Sequence, residues 1–246
     1  MKYKNTGFSF DSLDPNDIDR IQLGMVRPES RVLEIGCANG FMSEYMVREL
    51  GCDVVGIEID EAAAVEAAKH CSAIIHQSIE EKGCRERLKE IVEQTGGFDV
   101  VLMSQVIEHI AGYQDTLLFV RSLLKPGGEL LISTVNVAHW TSRLRLLVGI
   151  WRYEAYGLFD EDHLRFFTPK SLREALEKTG FEIIDSGYSV VDFNPFLRIH
   201  ALRFFNIYSL IKRLPGVGPA AVKYYKRLFR NVITWQFVYR ATPTGE

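Results

Sequence analysis

The chain has 246 residues, of which 47% are hydrophobic and 25% charged, the composition of one globular domain with a modest elaboration. A chain of this length buries enough apolar surface to fold without disulfides or a metal. Its four cysteines form no CxxC pair and no metal-ligand spacing. No stretch reaches the ~18 apolar residues of a membrane span, and the amino terminus lacks the apolar core of a signal peptide. These features exclude disulfide scaffolds and integral membrane proteins, and they predict a cytoplasmic protein.

The net charge of −3 conceals a marked asymmetry along the chain. Between Phe193 and Gly245 there is no Asp or Glu, whereas nine Lys and Arg residues fall in that segment. The preceding body is therefore strongly acidic. A basic tail on an acidic body predicts an anionic partner surface.

Short apolar runs rich in β-branched residues alternate with helical patterns, which is typical of βαβ units around a parallel sheet. The predicted strands, in chain order, are 31–35, 53–57, 73–76, 98–103, 129–133, 181–185 and 233–239. The predicted helices between them cover about 42–50, 61–70, 81–94, 115–124 and 169–179. We therefore expect an α/β fold with a Rossmann-like, seven-stranded, mostly parallel sheet and helices on both faces.

The chain divides into four predicted parts: a helical lead-in (1–29), a Rossmann-like domain (30–192), a basic helical insertion (193–232), and the last strand with the tail (233–246). In the insertion, aromatic and aliphatic residues fall on one side of each predicted helix and Lys and Arg mostly on the other, although His200 and Arg203 intrude on the apolar side of the first. Such faces are typical of helices that lie at a membrane surface. The hypothesis is that residues 194–232 contact an anionic membrane or cover a lipid-linked acceptor. The alternative is that their apolar faces pack on the domain. Nucleic acid is disfavoured as a partner because the body is acidic and no RNA-binding motif is present.

The segment Val32-Leu-Glu-Ile-Gly-Cys-Ala-Asn-Gly40 runs from a strand through a glycine loop into a helix. Such a loop places backbone N–H groups at a helix amino terminus, where a ligand can approach closely. Its Gly-x-x-x-Gly spacing differs from the Gly-x-Gly-x-x-Gly of dinucleotide folds. About twenty residues later Glu58 ends the second strand, where a carboxylate can accept hydrogen bonds from ribose hydroxyls. Together they predict an adenosine-bearing ligand without a diphosphate.

These motifs resemble the class I S-adenosylmethionine-dependent methyltransferases. The resemblance extends from Arg31 to Ser189 and includes Gly56-Ile-Glu58, Phe98-Asp-Val-Val101 and Leu124-Lys-Pro-Gly-Gly128. It implies S-adenosylmethionine (SAM) as cofactor, with the glycine loop facing its methionine part and Glu58 binding its ribose. It also implies that Ser78 and Ile79 lie near the adenine and that Ser104 and Gln105 line the other side of the cofactor. The family often has Asp where Ser78 stands, which puts that adenine contact in doubt. The implied cofactor-binding residues are Glu34, Gly36, Cys37, Gly40, Glu58, Ile59, Ser78, Ile79, Ser104 and Gln105.

Two further pairs of segments resemble particular branches of that family. Val106-Ile-Glu-His-Ile110 and His163-Leu-Arg-Phe-Phe-Thr168 are similar to ubiquinone-biosynthesis O-methyltransferases and to many sugar-modifying enzymes. Asn136-Val-Ala-His-Trp140 and the aromatic segment 151–159 resemble methyltransferases of polysaccharide and glycolipid biosynthesis. The resemblance therefore leaves both kinds of acceptor open.

A hydroxyl acceptor needs a group that takes its proton, and histidine suits that role near neutral pH. The candidate bases are His139 and His163, followed by His109, since each lies in a loop predicted at the carboxyl edge of the sheet. Each has the alternative role of holding its loop by hydrogen bonds. Some relatives bind a divalent metal through Glu-x-x-Glu-His, but here Gln105 replaces the first Glu before Glu108 and His109, so no metal is predicted.

The sequence thus favours a SAM-dependent O-methyltransferase that acts on a hydroxyl of a saccharide, glycolipid or related small molecule. The first alternative is a quinone or phenol O-methyltransferase at the inner face of the membrane. The second is a non-catalytic protein of the same fold, which the intact glycine loop and Glu58 argue against.

Overall fold

The computed structural model describes residues 10–191 and 229–245. Their strands form one seven-stranded sheet in the order β3-β2-β1-β4-β5-β7-β6. Strands β1 to β5 run parallel to one another, and β7 is antiparallel to both β5 and β6. The predicted fold class, a mostly parallel Rossmann-like sheet of seven strands, is confirmed.

The strands follow the apolar runs of the sequence, with differences at their ends. Their bounds are β1 Arg31–Ile35, β2 Asp53–Ile57, β3 Ala73–Ile75, β4 Phe98–Ser104, β5 Leu124–Val135, β6 Phe181–Val190 and β7 Thr234–Pro243. The last three exceed the predicted lengths because β7 pairs with β5 on one side and with β6 along its length on the other. Strand β5 also begins earlier, at Leu124, which pairs with Phe98 before a register shift.

Seven α-helices lie wholly within the described part of the chain, and residues 229–233 are also helical. They are α1 Ile18–Leu23, α2 Phe41–Arg48, α3 Glu61–Ala67, α4 Lys82–Thr95, α5 Tyr113–Leu123, α6 Trp140–Leu147 and α7 Pro169–Lys178. Helix α7 begins as predicted, with Thr168 as its N-cap and Pro169 in its first turn. Helix α6, which the sequence analysis left unassigned, follows β5 directly.

Two apolar clusters cover the two faces of the sheet. One joins β-strand side chains to α4, α5 and α7, through residues such as Leu88, Leu117 and Leu172. The other joins Val32, Val54 and Val100 to α1 and α2. Helices therefore shield both faces, and polar side chains at the carboxyl edge of the strands are left to form a site.

Parts of the predicted domain division fall outside the described residues. Of the lead-in 1–29, residues 1–9 are not described, and residues 10–29 contain a short 3₁₀ helix at Phe10–Ser12 and α1. Of the basic insertion 193–232, residues 193–228 are not described. None of the described helices is long and apolar enough to cross a membrane.

Candidate cofactor and acceptor site

The glycine loop joins β1 to α2 in the arrangement expected from the sequence. Gly36 and Gly40 have φ angles of 75° and 78°, in the left-handed region that favours glycine. Space is restricted at both positions, because a Cβ would stand 2.5 Å from Val106 Cγ2 at Gly36 and 2.8 Å from Ala67 Cα at Gly40. The loop is therefore held tightly between the β4 end and α3.

Glu58 links this loop to the end of β2. Its Oε2 accepts a hydrogen bond from the Ala38 backbone N–H at 2.8 Å. Its Oε1 accepts from the N–H groups of Ile59 and Asp60, each at 2.8 Å. Both carboxylate oxygens are thus oriented by the backbone at the site edge, and Oε2, which accepts one of the three bonds, has a second lone pair that can accept from a ligand hydroxyl.

Glu34 lies on β1 just before the loop and is buried, with Ser43 Oγ donating to its Oε2. The pKa of Glu34 is raised to about 8, mainly by burial and to a smaller extent by the nearby charges of Asp19 and Glu58. Cys37 follows in the loop and is also buried. A hydrogen bond with the Cys71 thiol, and then burial, raise the Cys37 pKa.

The remaining predicted contacts on this side follow β2 and β3, which are adjacent strands. Ile59 is exposed at the rim, and its carbonyl oxygen lies 3.0 Å from His76 Nε2. Ser78 is held by the carboxylate of Glu81, which accepts from the Ser78 N–H at 2.7 Å, and Ile79 is buried. Apolar Ile59 and polar Ser78 therefore lie at the ends of neighbouring strands, as an adenine contact would require.

Ser104 ends β4, Gln105 follows it, and both take part in a polar network with side chains of β5 and β7. Gln105 has a φ of 55°, unusual for a residue with a side chain. Its Nε2 donates to Ser133 Oγ at 3.1 Å, and its Oε1 accepts from Gln236 Nε2 at 3.2 Å. Ser104 Oγ lies 3.4 Å from Ser133 Oγ. These hydrogen bonds hold Gln105 in its strained backbone conformation at the carboxyl edge of the sheet. Strained residues that are held in this way are common at functional sites.

Helix α1 completes this network with two residues that the sequence analysis did not single out, Asp19 and Gln22. Gln22 Oε1 accepts from Ser133 Oγ at 2.9 Å, and burial raises the pKa of Asp19 to about 6, an effect that the nearby Ser104 side chain opposes. The contact joins segments far apart in the sequence, so no local pattern could have revealed it.

The three candidate histidines occupy two different environments. His139 is fully buried and caps α6: its Nδ1 lies 2.8 Å from Thr141 Oγ1 and its Nε2 lies 3.3 Å from the Val191 carbonyl oxygen. Because a carbonyl only accepts, Nε2 carries the proton, and Nδ1 is engaged by Thr141. Burial lowers the pKa of His139 to about 4.

His109 and His163 lie together, with ring centroids 4.8 Å apart. His109 Nδ1 is 3.1 Å from the Asp162 carbonyl oxygen, so this nitrogen donates and the neutral ring presents Nε2 as an acceptor. The Leu164 and Arg165 N–H groups donate to the Glu108 carbonyl oxygen, which fastens the loop after β4 to the segment before α7. Glu108 itself is buried, and burial raises its pKa to about 7.

An aromatic cluster adjoins the two histidines. The Trp151 ring lies edge-to-face with Phe159 at 4.7 Å and with Phe166 at 5.2 Å, and Phe166 is 6.0 Å from His163. Trp151 stays 38% exposed. In residues 10–191 and 229–245, no group of three His, Cys, Asp or Glu side chains is arranged to hold a metal ion.

Several solved structures with this fold are described as SAM-dependent methyltransferases. One from Archaeoglobus fulgidus shares 18% identity, covers 90% of this chain and 88% of its own, and superimposes with a TM-score of 0.57. A protein from Listeria monocytogenes described as a putative S-adenosylmethionine-dependent methyltransferase shares 19% identity, covers 92% and 96%, and has a TM-score of 0.55. These structures share the fold of this chain, and the glycine loop and the doubly oriented Glu58 carboxylate fit SAM as a ligand.

The family follows from the sequence relatives. A family model described as a methyltransferase domain matches residues 17–186. The ubiquinone biosynthesis O-methyltransferase of Ruegeria pomeroyi is 35% identical over 184 residues, covering 73% of this chain and 70% of the relative. The mitochondrial enzyme of the same name from Homo sapiens is 30% identical over 156 residues, covering 62% and 42%. The chain therefore belongs to the methyltransferase family that this model describes. It is a class I SAM-dependent methyltransferase, and its cofactor is SAM.

Proposed function

We propose that the chain transfers the methyl group of SAM to a hydroxyl oxygen of a quinone-type or phenolic acceptor. The observation that carries this proposal is the 35% identity to an enzyme named a ubiquinone biosynthesis O-methyltransferase. The relatives thus favour the first alternative of the sequence analysis over a saccharide or glycolipid acceptor. SAM supplies the methyl group on a sulfonium, so the protein must mainly align the acceptor oxygen and receive its proton.

His109 has the geometry of the proton acceptor. Its Nδ1–H is fixed by the Asp162 carbonyl at 3.1 Å, which leaves Nε2 free to take the proton of an acceptor hydroxyl. His163, with its ring 4.8 Å away, restricts the orientation of His109. His139 has the weaker case for a base, because both ring nitrogens are engaged in capping α6 and in contacting Val191.

The aromatic cluster supplies a surface for a planar acceptor. The partly exposed Trp151 is held edge-to-face by Phe159 and Phe166, so its orientation is set before an acceptor arrives. A phenolic or quinone ring can stack on such a face, with a gain of about 1 kcal/mol beyond area burial.

The acceptor assignment is tested by incubating the protein and SAM with a panel of hydroquinone, catechol and saccharide acceptors. Methylated product and S-adenosylhomocysteine are then measured by mass spectrometry. Methylation of the aromatic acceptors alone supports the proposal. Methylation of the saccharides alone would reject the proposal and favour a saccharide acceptor. If no acceptor is methylated, the proposal is rejected for the hydroquinones and catechols in the panel.

The role of His109 is tested with His109→Asn and with His139→Asn as the matched control, since Asn can replace His139 as an N-cap. We expect His109→Asn to lower kcat by ~10²-fold without changing SAM affinity. His139→Asn is expected to keep most of the activity. The opposite ranking of the two variants would assign the base to His139.

Peripheral contact with an anionic membrane is also part of the proposal. Besides the basic segment 194–232, the exposed end of α6 supports it: Leu147 is 81% exposed and is followed by exposed Val148 and Ile150. Flotation with anionic and neutral liposomes at low salt is the test. Leu147→Glu should weaken anionic-liposome binding, whereas Val65→Glu, at an exposed position on α3, should not. An unbound wild-type protein would reject membrane contact.

A further inference from the structure

Two cysteine side chains meet over one glycine of the central sheet. Cys37 belongs to the glycine loop after β1, and Cys71 lies between α3 and β3. Strand β2 runs between β1 and β3, and a Cβ at its Gly56 would stand 2.8 Å from Cys37 Sγ and 3.3 Å from Cys71 Sγ. Because Gly56 has no side chain, both sulfurs occupy the space above its Cα. Two residues that are far apart in the sequence thus bring their thiols to one place.

The two thiols differ in their access to solvent. Cys37 is buried, whereas Cys71 is partly exposed and its Sγ lies 3.3 Å from Ser43 Oγ on α2. The Cys37 thiol lowers the pKa of Cys71, and a thiol reacts through its thiolate form. A small solute can therefore react first with Cys71, and Cys37 is the second thiol within reach.

The loop that carries Cys37 is fastened on both sides of this residue. The Cys37 N–H donates to the Ile57 carbonyl at 3.0 Å, and the N–H of the next residue, Ala38, donates to Glu58 Oε2 at 2.8 Å. A disulfide holds its sulfurs ~2.0 Å apart, which is much closer than two thiols can approach. A bond between Cys37 and Cys71 would therefore pull the loop toward β3 and disturb the contact of Ala38 with Glu58.

We propose that Cys37 and Cys71 are an oxidation site at which a peroxide forms a reversible disulfide that weakens SAM binding. The Cys71 thiolate attacks one oxygen of hydrogen peroxide, the O–O bond breaks, and the departing hydroxide takes up the proton that Cys71 had released. The Cys37 thiol then attacks the resulting sulfenic acid, and a second water leaves as the S–S bond forms. Two thiols lose two electrons in total, and the peroxide is reduced to two waters.

The chemistry of this pair fits a sensor better than a structural cross-link. Disulfides that form in reducing compartments are usually transient and respond to oxidants. A thiol such as dithiothreitol reverses the bond by exchange and returns the loop to its packed position. The proposal concerns the cofactor loop and does not depend on which acceptor is methylated.

Peptide mapping and calorimetry of the peroxide-treated protein test the proposal. After hydrogen peroxide is removed, mass spectrometry without reduction should find the peptides of Cys37 and Cys71 joined, with a mass lower by two hydrogens than their sum. Calorimetric titration with SAM should then give an affinity at least about tenfold lower than that of the reduced protein, the effect of losing one hydrogen bond in the loop. Dithiothreitol should restore the original affinity.

Two serine variants separate this pair from other oxidation. Cys71→Ser lacks one of the two thiols and keeps a small polar side chain beside Ser43, so peroxide should leave its SAM affinity unchanged. Cys52→Ser is the matched control, because Cys52 is buried before β2 with its thiol directed at the Arg27 carbonyl. This variant should lose affinity on oxidation as the wild type does.

Three results would overturn the proposal. Peroxide-treated wild type without the joined peptides would show that the two thiols do not form a bond. A joined protein that binds SAM as the reduced protein does would show that the bond leaves the cofactor site unaltered. An equal loss of affinity in oxidised Cys71→Ser would assign the effect to another residue. Since no acceptor enters these titrations, failure of the phenolic acceptor assignment would not change them.

Discussion

The buried carboxyl of Glu34 should make the stability of this protein fall as pH rises. Burial raises its pKa from 4.5 to about 8, so between these values the folded state holds a proton that the unfolded state has released. The stabilisation is therefore fully present below pH 4.5 and is lost as pH rises through about 8. The neutral isostere in Glu34→Gln removes this dependence, and its amide oxygen can still accept from Ser43.

Each pKa unit corresponds to ~1.4 kcal/mol, so from pH 5 to pH 8 the wild type should lose about 3–4 kcal/mol more unfolding free energy than Glu34→Gln. Urea denaturation at pH 5, 6, 7 and 8 measures the difference directly. Glu44→Gln on α2 is the matched control, because Glu44 is half-exposed and pairs with Arg48 at the surface. Equal slopes for the wild type and Glu34→Gln would refute the reasoning that Glu34 is protonated in the folded protein.

Three further substitutions test the contacts that shape the site. In Glu58→Gln, the amide NH2 group would face a backbone N–H such as that of Ala38, and two donors cannot bond each other. The unfolding free energy should therefore fall by about 2 kcal/mol in urea denaturation, and a variant as stable as the wild type would contradict the observed hydrogen bonds. Gly187→Ala drives a methyl into Ile21 and should lower unfolding free energy by about 1–3 kcal/mol, which an unchanged melting temperature would disprove. Tyr239→Phe removes the buried hydroxyl that donates to the Pro169 carbonyl at the start of α7, and it should lower the unfolding free energy by about 1 kcal/mol in chemical denaturation. An unchanged unfolding free energy would contradict a stabilising role for this hydrogen bond.

The strands were predictable where a local apolar run in the sequence marks them. Strands β1 and β2 have the predicted bounds, because apolar strands flanked by loops contrast with the amphipathic helices between them. The extra length of β5 through Lys125-Pro-Gly-Gly128 was not predictable, since the pairing of Leu124 with Phe98 is a tertiary contact. Helix α6 was missed for a similar reason: its N-cap is His139, which is not a usual capping residue.

The site was predictable only in its local parts. The glycine loop and Glu58 lie on short segments that end adjacent strands, so parallel topology brings them together without further information. Asp19 and Gln22 reach the site through the packing of α1 on β6, and that packing leaves no pattern at residues 19 and 22. The ranking of the histidines likewise depends on ring hydrogen bonds, which sequence does not show.

Backbone strain on both sides of the site supports an arrangement that is set before ligands bind. Ala38 and Gln105 are non-glycine residues with positive φ, at 48° and 55°. Each such position costs of order 1 kcal/mol and persists because its surroundings hold it. The Glu58 carboxylate holds Ala38, and Gln236 holds Gln105. The two strained residues follow β1 and β4, which are neighbouring strands, so side-chain hydrogen bonds hold the loops after both strands. Methyl transfer depends mainly on alignment, and a site of this kind supplies alignment without reorganisation during the reaction.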